Sequence, residues 1–470
     1  VANAAFKAGL ARALGLDLRS LGLFRLGLAL VVLYDALARW SHLNEHYTYL
    51  GVLPLSQHLL SPQVGPSLHL GSDTPALVAS LFALQALAAL SLLLGWRPRQ
   101  STFLCLVLVL SAQYRNPLVI DGGDVLLRAL LVWGLFLPWG EAFGLEAGER
   151  PDRSVLNVGT LALSLQLCQL YWYAFLYKSG PAWWQEGSAV TLALGLSEFA
   201  TSTGLWLREQ DLSAGLTRMV MLTEACAPFF LLCPGGWRWL ALVPLGGLQV
   251  GIILTLAIGP FNPIALIALL AFLPPQFWNR LVGLQNALQR VFDRLRARQA
   301  SFLAAPSPPS PAWWNVLGGL LLVLVVGCNL LSWGKGRAAV PEWLDMVRIW
   351  TGLHQEWSMF SPEPPRRDVW LVVGLETEKG TLDPRTGGEL RLGPPDPLLP
   401  RLLDARQRKC LSSLTNPGMD GYQRLYLQAV MRDWNRRHPD QTAHKATLHR
   451  LSRDNLTRGQ TESEIAVTVP

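Results

Sequence analysis

The first two-thirds of the chain alternates long apolar runs with short polar turns, and the last third changes character. Apolar runs near 19–40, 75–95, 100–114, 124–142, 155–178, 213–233, 237–258, 261–278 and 314–333 approach the ~20 residues that carry a helix across a bilayer. They predict about nine spans. The third is the shortest and fits a re-entrant segment. The stretch 187–203 is apolar but short, which places it at a membrane interface or dipping into it. The Pro/Ser stretch AAPSPPSP, Ala304–Pro311, cannot be helical throughout and reads as a linker. The expected division is therefore a helical membrane domain over 1–303, a linker over 304–312, a last span over 313–334 and a water-exposed domain over 335–470.

Within that last domain, VWLVVGLE at Val369–Glu376 reads as a strand, with Lys379-Gly380 as a turn into a second one. Residues 399–414 and 420–437 carry helical periodicity. Tyr422, Leu425, Val430, Met431 and Trp434 would share an apolar side. Residues 442–451 read as a further strand. The predicted class is mainly α: a polytopic transmembrane helical bundle with a small α+β extracytoplasmic domain at the C-terminus.

Composition strengthens the membrane reading. Half the residues are apolar and 16% are charged, against ~25% charged in ordinary soluble domains. Many of the 19 tryptophans stand at the ends of apolar runs, as in an interfacial belt. The net charge of +7 is uneven, with Arg280, Arg290, Arg294, Arg296 and Arg298 clustered directly after an apolar run. That position makes the cluster a topology signal and not a nucleic-acid surface. Lys7, Arg12 and Arg19, then Arg97 and Arg99, fall on the same side as the cluster, whereas the 41–74 loop has no Lys or Arg. The charge bias predicts a cytoplasmic N-terminus, with an amphipathic lead-in and no cleavable signal, and an extracytoplasmic C-terminal domain. The six cysteines form no zinc spacing or disulfide framework, and Cys410 stands alone in the polar tail. His42 and His46 share i,i+4 spacing without an evident further ligand, so no metal site is expected.

Polar residues inside apolar runs mark function or tight pairing. Arg25 lies early in the first run, and Asp35 and Arg39 are spaced to pair on one helix face. Arg115-Asn116-Pro117 and Asp121-Gly122-Gly123-Asp124 form a polar hairpin. Asp124 suits a helix start, and Arg128 follows at i+4 to pair with it. Capping and a tight turn explain this segment structurally, and a polar pocket wall explains it functionally. Lys178 closes the aromatic run YWYAFLYK, and Ser179-Gly180-Pro181, Trp183, Trp184 and Gly187 follow. A lysine enclosed by aromatics becomes a usable amine base. The competing reading is a lysine snorkelling to the interface. Glu224, four residues before Pro228, would accept hydrogen bonds from a neighbouring helix or be protonated, and Gln249 is a second polar residue within a run.

At these residues the chain resembles the horizontally transferred transmembrane (HTTM) domain family, whose relatives include the vitamin K-dependent γ-carboxylases. The resemblance rests on Arg25, RNPLVIDGGD at 115–124, FLPWGEAFGLE at 136–146, YAFLYKSGPAWWQEG at 173–187, Glu224 with Pro228, and LQVGIILTLAIGPFNPIALIALLAFLP at 248–274. The segment Trp357-Ser358-Met359-Phe360-Ser361-Pro362 is similar to the tail of bacterial members, which implies a bacterial plasma membrane protein. The resemblance implies that Lys178 deprotonates a reduced, vitamin K-like quinone. Oxygen then drives epoxide formation through a strong base that takes the γ-proton of a protein glutamate, and carbon dioxide adds. It implies a pocket drawn from Arg25, Arg115, Asp121, Asp124, Arg128, Tyr173, Trp184, Glu224 and Gln249, touched by Trp357, Met359 and Phe360 of the tail. Its partners would be membrane lipid and a secreted or membrane peptide or protein. The chain departs from the carboxylases in lacking a histidine near Gly123, in carrying Gln249 where relatives often have histidine, and in its shorter tail. The alternative is a non-enzymatic membrane factor in secretion, maturation or immunity of a peptide. An enzyme predicts a buried Lys178 beside a cavity. The non-enzymatic factor predicts a solvated Lys178 and a groove between tail and membrane part. A transporter has no internal repeat or paired broken helices to support it.

Overall fold

A computed structural model describes residues 14–58, 65–147, 153–298, 311–335, 340–395 and 405–470. The amphipathic lead-in with Lys7 and Arg12, and nearly all of the Pro/Ser linker, lie outside the described residues. Helix makes up 62%, so the class is mainly α. Among the described residues, four helices are long and apolar enough to cross a membrane: α1 (Leu18–Ser41), α2 (Pro75–Leu94), α7 (Trp239–Thr255, entered through Gly235–Arg238) and α10 (Ala312–Lys335).

Four is fewer than the nine spans expected, and the reasons are local. Helix α3 (Pro98–Arg115), α5 (Val158–Leu176) and α6 (Ser213–Leu231) have the length but carry too many polar residues to qualify. Helix α4 (Gly122–Gly134) is 13 residues long because the chain leaves helix before Pro138, although its apolar run continues. Helix α8 (Phe261–Leu269) ends in a single 3₁₀ turn ahead of Pro274-Pro275. The 187–203 stretch is broken into Ala189–Gly195 and the start of Ser202–Arg208.

The bundle has two ends. At the basic end, β1 (Leu16–Asp17) pairs with β2 (Ser154–Val155), and the Asp17 side chain caps α1 through the Arg19 amide at 2.9 Å. Helix α9 (Val282–Ala297) joins this end through Arg19 Nη1 donating to Gln285 Oε1 at 3.0 Å. Arg25 belongs here too. Its guanidinium donates to the carbonyls of Trp139 (3.4 Å) and Phe143. Gly95, at φ 65°, must be glycine because a Cβ would fall 2.2 Å from Arg25 Nη1.

The other end carries the C-terminal domain. Strands β3 (Arg367–Thr377), β4 (Gly380–Leu382), β5 (Ala443–Asp454) and β6 (Glu462–Val469) form an antiparallel sheet in the order β4-β3-β5-β6. Helices α12 (Ala405–Leu414) and α13 (Asp420–Arg437) pack on one face. The expected strands, turn and two helices are found, with 399–404 outside the described residues, and β6 is an addition. The α13 face toward the sheet buries Gln423, Tyr426, Leu427, Ala429 and Trp434, with the expected Tyr422, Val430 and Met431 packed against that core and Leu425 outside it. Leu371, Val373, Leu375, Ala446 and Leu448 share a core with Tyr47, Phe82, Leu118 and Val119 of the bundle. The tail is thus built onto the bundle through a common apolar core, and Cys410 is buried within it.

Side-chain placement inverts that of a soluble bundle. Helix α1 buries Arg25, Asp35 and Arg39 and exposes Leu30, Tyr34, Leu37 and Trp40. Likewise Gln85, Glu224 and Gln249 point inward, whereas Leu87, Leu222, Phe229, Val243 and Val323 point outward. Apolar solvent around the bundle is the setting that stabilises such a surface.

Candidate functional site

Lys178 follows α5 directly, where Ser179-Gly180-Pro181 turns the chain into the short helix Pro181–Trp184. Its ammonium is 3% exposed, so the interfacial snorkelling arrangement is not the one adopted. Nζ donates to Glu224 Oε2 at 2.7 Å, to Glu224 Oε1 at 2.9 Å and to the Ala174 carbonyl at 2.9 Å. The Trp183 ring lies 4.9 Å from Nζ, within cation–π range. Trp184 Nε1 donates to the Lys178 carbonyl at 2.6 Å.

Glu224 is placed by α6. Pro228 sits inside that helix and removes the amide that the Glu224 carbonyl would otherwise accept from. Trp183, which faces the pair, packs with Phe175, Met221 and Phe360 in one apolar cluster. Two buried charges at this separation hold only because each neutralises the other, and removing one leaves the other uncompensated. Beside them, Gln249 Nε2 donates to the Tyr171 hydroxyl at 3.1 Å, and the buried Gln249 Oε1 has no hydrogen-bond partner among the described residues.

A segment from the tail crosses the turn that follows Lys178. After helix α11 (Glu342–Thr351), Trp357 enters the bundle at 2% exposure and donates to Gln355 Oε1 at 2.8 Å. Gln355 in turn bonds Gln166, which accepts from Trp133 Nε1 at 3.0 Å. Met359 packs on the same core. The chain then straps across the Lys178 turn. The Phe360 carbonyl accepts from Trp183 Nε1 at 3.1 Å, the Pro362 carbonyl accepts from the Gly180 amide at 2.9 Å, and Glu363 Oε2 accepts from the Ala182 amide at 3.1 Å. Phe360 stands at φ 54°, a left-handed conformation that costs an ordinary residue about 1–3 kcal/mol. Arg366 fastens the outer edge to Glu363 (3.0 Å) and Glu186 (2.7 Å). Its hydrogen bond lowers the Glu363 pKa, and hydrogen bonds from Ser188 and Arg366 lower that of Glu186.

The remaining expected pocket residues lie elsewhere. Asp124 joins a separate buried network with Asp35, Arg39 and Arg406. Arg39 Nε reaches Asp35 at 2.9 Å and its Nη2 reaches Asp124 at 2.6 Å. Arg406 of α12 reaches Asp35 at 2.8 Å and Asp124 at 2.5 Å. Burial opposes the Arg406 charge, but Asp124, Asp35 and Asp121 together raise its pKa well above the usual value. Asp121 caps α4 through the Gly123 and Asp124 amides at 2.7 and 3.1 Å. Asp124 is therefore paired with Arg39 and Arg406. Arg128 is engaged instead with Gln113 Oε1 at 3.4 Å and the His354 carbonyl. Arg115 donates to the Leu53 carbonyl at 2.8 Å, and Tyr173 stacks near Tyr177. The single shared pocket expected from the sequence is divided: Lys178, Trp184, Glu224 and Phe360 come together, while Arg25, Arg115, Asp121, Asp124 and Arg128 hold other parts of the fold.

The sequence places Trp183 beside the Gly-Pro turn among the aromatics around Lys178 but selects Trp184 for the pocket, whereas Trp183 is the ring that faces the ammonium. It does not reveal Arg406 as the tail's contribution to the ion network. Arg406 carried no signal, since its partners lie 282 and 371 residues away.

A comparison with protein-family models finds no match, and neither the curated proteins nor the solved structures contain one at significance.

Proposed function

We propose that this chain is an integral membrane protein in which Lys178, paired with Glu224, acts as a base toward a reduced quinone. Burial of the ammonium against a carboxylate, beside the Trp183 ring, is the observation that carries the reading. The two groups touch directly, so in this reading Glu224 would accept the proton that the Lys178 amine takes from a substrate hydroxyl. Phe175, Trp183 and Phe360 suit a flat aromatic ring. The buried Gln249 Oε1 is an acceptor awaiting a donor. Every Nζ hydrogen is engaged by Glu224 or the Ala174 carbonyl, so a substrate hydroxyl reaches the amine only when one of these bonds opens. The likeness of YAFLYKSGPAWWQEG to the carboxylase relatives supports the same chemistry, with oxygen and carbon dioxide as co-substrates. The test is epoxide formation from vitamin K hydroquinone or menaquinol by the purified protein in lipid nanodiscs under air. No epoxide from either quinol removes the reading.

Membrane insertion is supported by four long apolar helices and by the inverted side-chain placement. Trp237 and Trp313 project at the basic end, and Trp40, Trp184, Trp206 and Trp333 project at the other. Helix α9 exposes Val282, Leu284, Val291 and Leu295 beside its arginines. That pattern suits a helix lying on an anionic cytoplasmic leaflet. The C-terminal domain then faces the extracytoplasmic side. A Lys379→Cys variant, exposed at the β3–β4 turn, is expected to react with impermeant maleimide only from that side. Labelling restricted to the cytoplasmic side reverses the orientation.

A second reading, the non-enzymatic peptide factor, is favoured by one feature. A cleft of about 530 Å³ separates the 40–52 segment from α13 and Pro384-Arg385 of the C-terminal domain, a groove of the kind a peptide could occupy.

A further inference from the structure

We propose that His42, Glu45 and His46 bind a divalent transition-metal ion of the zinc class at the wall of this cleft. The site is independent of the Lys178 pair. The sequence His42-Leu43-Asn44-Glu45-His46 leaves α1 and enters the single helical turn Leu43–His46. That turn sets the two imidazoles at i and i+4, a spacing at which two histidines of one turn grip one ion. Glu45 supplies the third ligand that the spacing alone did not reveal. One ligand atom from each of the three residues lies within 4.8 Å of the others, and His42 Nδ1 is 3.2 Å from Glu45 Oε2. A small rotamer adjustment draws them onto an ion at ~2.0–2.2 Å.

The second observation is His46 itself. Its ring is fully buried, and among the described residues neither Nδ1 nor Nε2 has a hydrogen-bond partner. A buried polar ring without partners is costly, and an ion bound at one nitrogen satisfies it. His42 and Glu45 line the cleft, and Asp433 and His438 line it from α13. Three protein ligands leave a coordination position open toward the cleft, as catalytic and substrate-binding zinc sites do. Arg437 acts on Glu45 from α13, and Arg39 and Arg406 act on His46 from behind. Glu45 and Asp433 offset part of that positive charge.

The test uses full-length protein in detergent, purified without a polyhistidine tag and stripped with chelator. Titration with Co(II) is expected to give visible d–d bands that saturate at one ion per chain and are displaced by Zn(II). His42→Ala and Glu45→Gln change partly exposed side chains and leave the fold intact. His42→Ala is expected to weaken affinity at least about 100-fold, beyond the ~10–100-fold typical of lost outer-shell partners. Glu45→Gln is expected to weaken it in the same direction, and His46→Ala is expected to abolish it where that variant folds. His444→Ala, at an exposed histidine on β5, is the control and is expected to bind as wild type. Unchanged affinity in both His42→Ala and Glu45→Gln overturns the proposal, as does the absence of saturable binding. Binding lost only in the His444 control shows adventitious surface chelation and overturns it equally.

Discussion

Lys178→Met is expected to destabilise the protein by about 3–5 kcal/mol, the cost of stranding one member of a buried ion pair. Glu224 would be left 7% exposed without Lys178, its one ionic partner among the described residues. Adding Glu224→Gln is expected to recover most of that loss, because a neutral amide replaces the stranded carboxylate. Thermal unfolding of the two variants in nanodiscs reads the difference. A single variant as stable as wild type would mean that the pair is not buried as described. This comparison also separates two roles. If the pair only holds α5 against α6, the double variant restores everything. If Lys178 is the base, the double variant restores folding and leaves turnover abolished.

The second large effect is expected at Arg406. Arg406→Ala leaves Asp35 and Asp124 to share the single guanidinium of Arg39. The expected cost is again about 3–5 kcal/mol, since two carboxylates remain buried with one counter-charge. Because Arg406 lies on α12, the loss falls on the docking of the C-terminal domain. Protease cleavage within 405–437 is expected to accelerate strongly, with the core of the bundle still resistant. Arg406→Lys is expected to recover part of the docking, because an ammonium keeps the charge and loses the two-pronged contact. Unchanged cleavage in Arg406→Ala would show that the common apolar core alone holds the domain.

Much of the fold was legible in the sequence, for reasons that also explain the failures. Apolar runs marked where helices lie, but they did not mark where helices stop. Leu135, Phe136 and Leu137 continue the apolar run after α4 has ended, and they are buried in irregular chain. Pro274-Pro275 closes the last α8 turn well inside an apolar run. Strand β6 was readable from the alternation of Val467 and Val469 inward with Thr468 outward, yet its acidic start hid it. Lys178 and Glu224 were each visible as polar residues in apolar settings. Their pairing across 46 residues was not, since it depends on how α5 packs on α6. The Asp35–Arg39 pair was readable from its i,i+4 spacing and is formed, but its links to Asp124 and to Arg406 of the C-terminal domain were not.

The most direct test of the central claim compares wild type with Lys178→Met/Glu224→Gln in one nanodisc preparation. Both are given reduced vitamin K or menaquinol and oxygen, and epoxide is measured after both have been shown folded by their unfolding transitions. The account predicts epoxide from wild type and none above background from the double variant. Equal epoxide from the two proteins, or none from wild type, would contradict it.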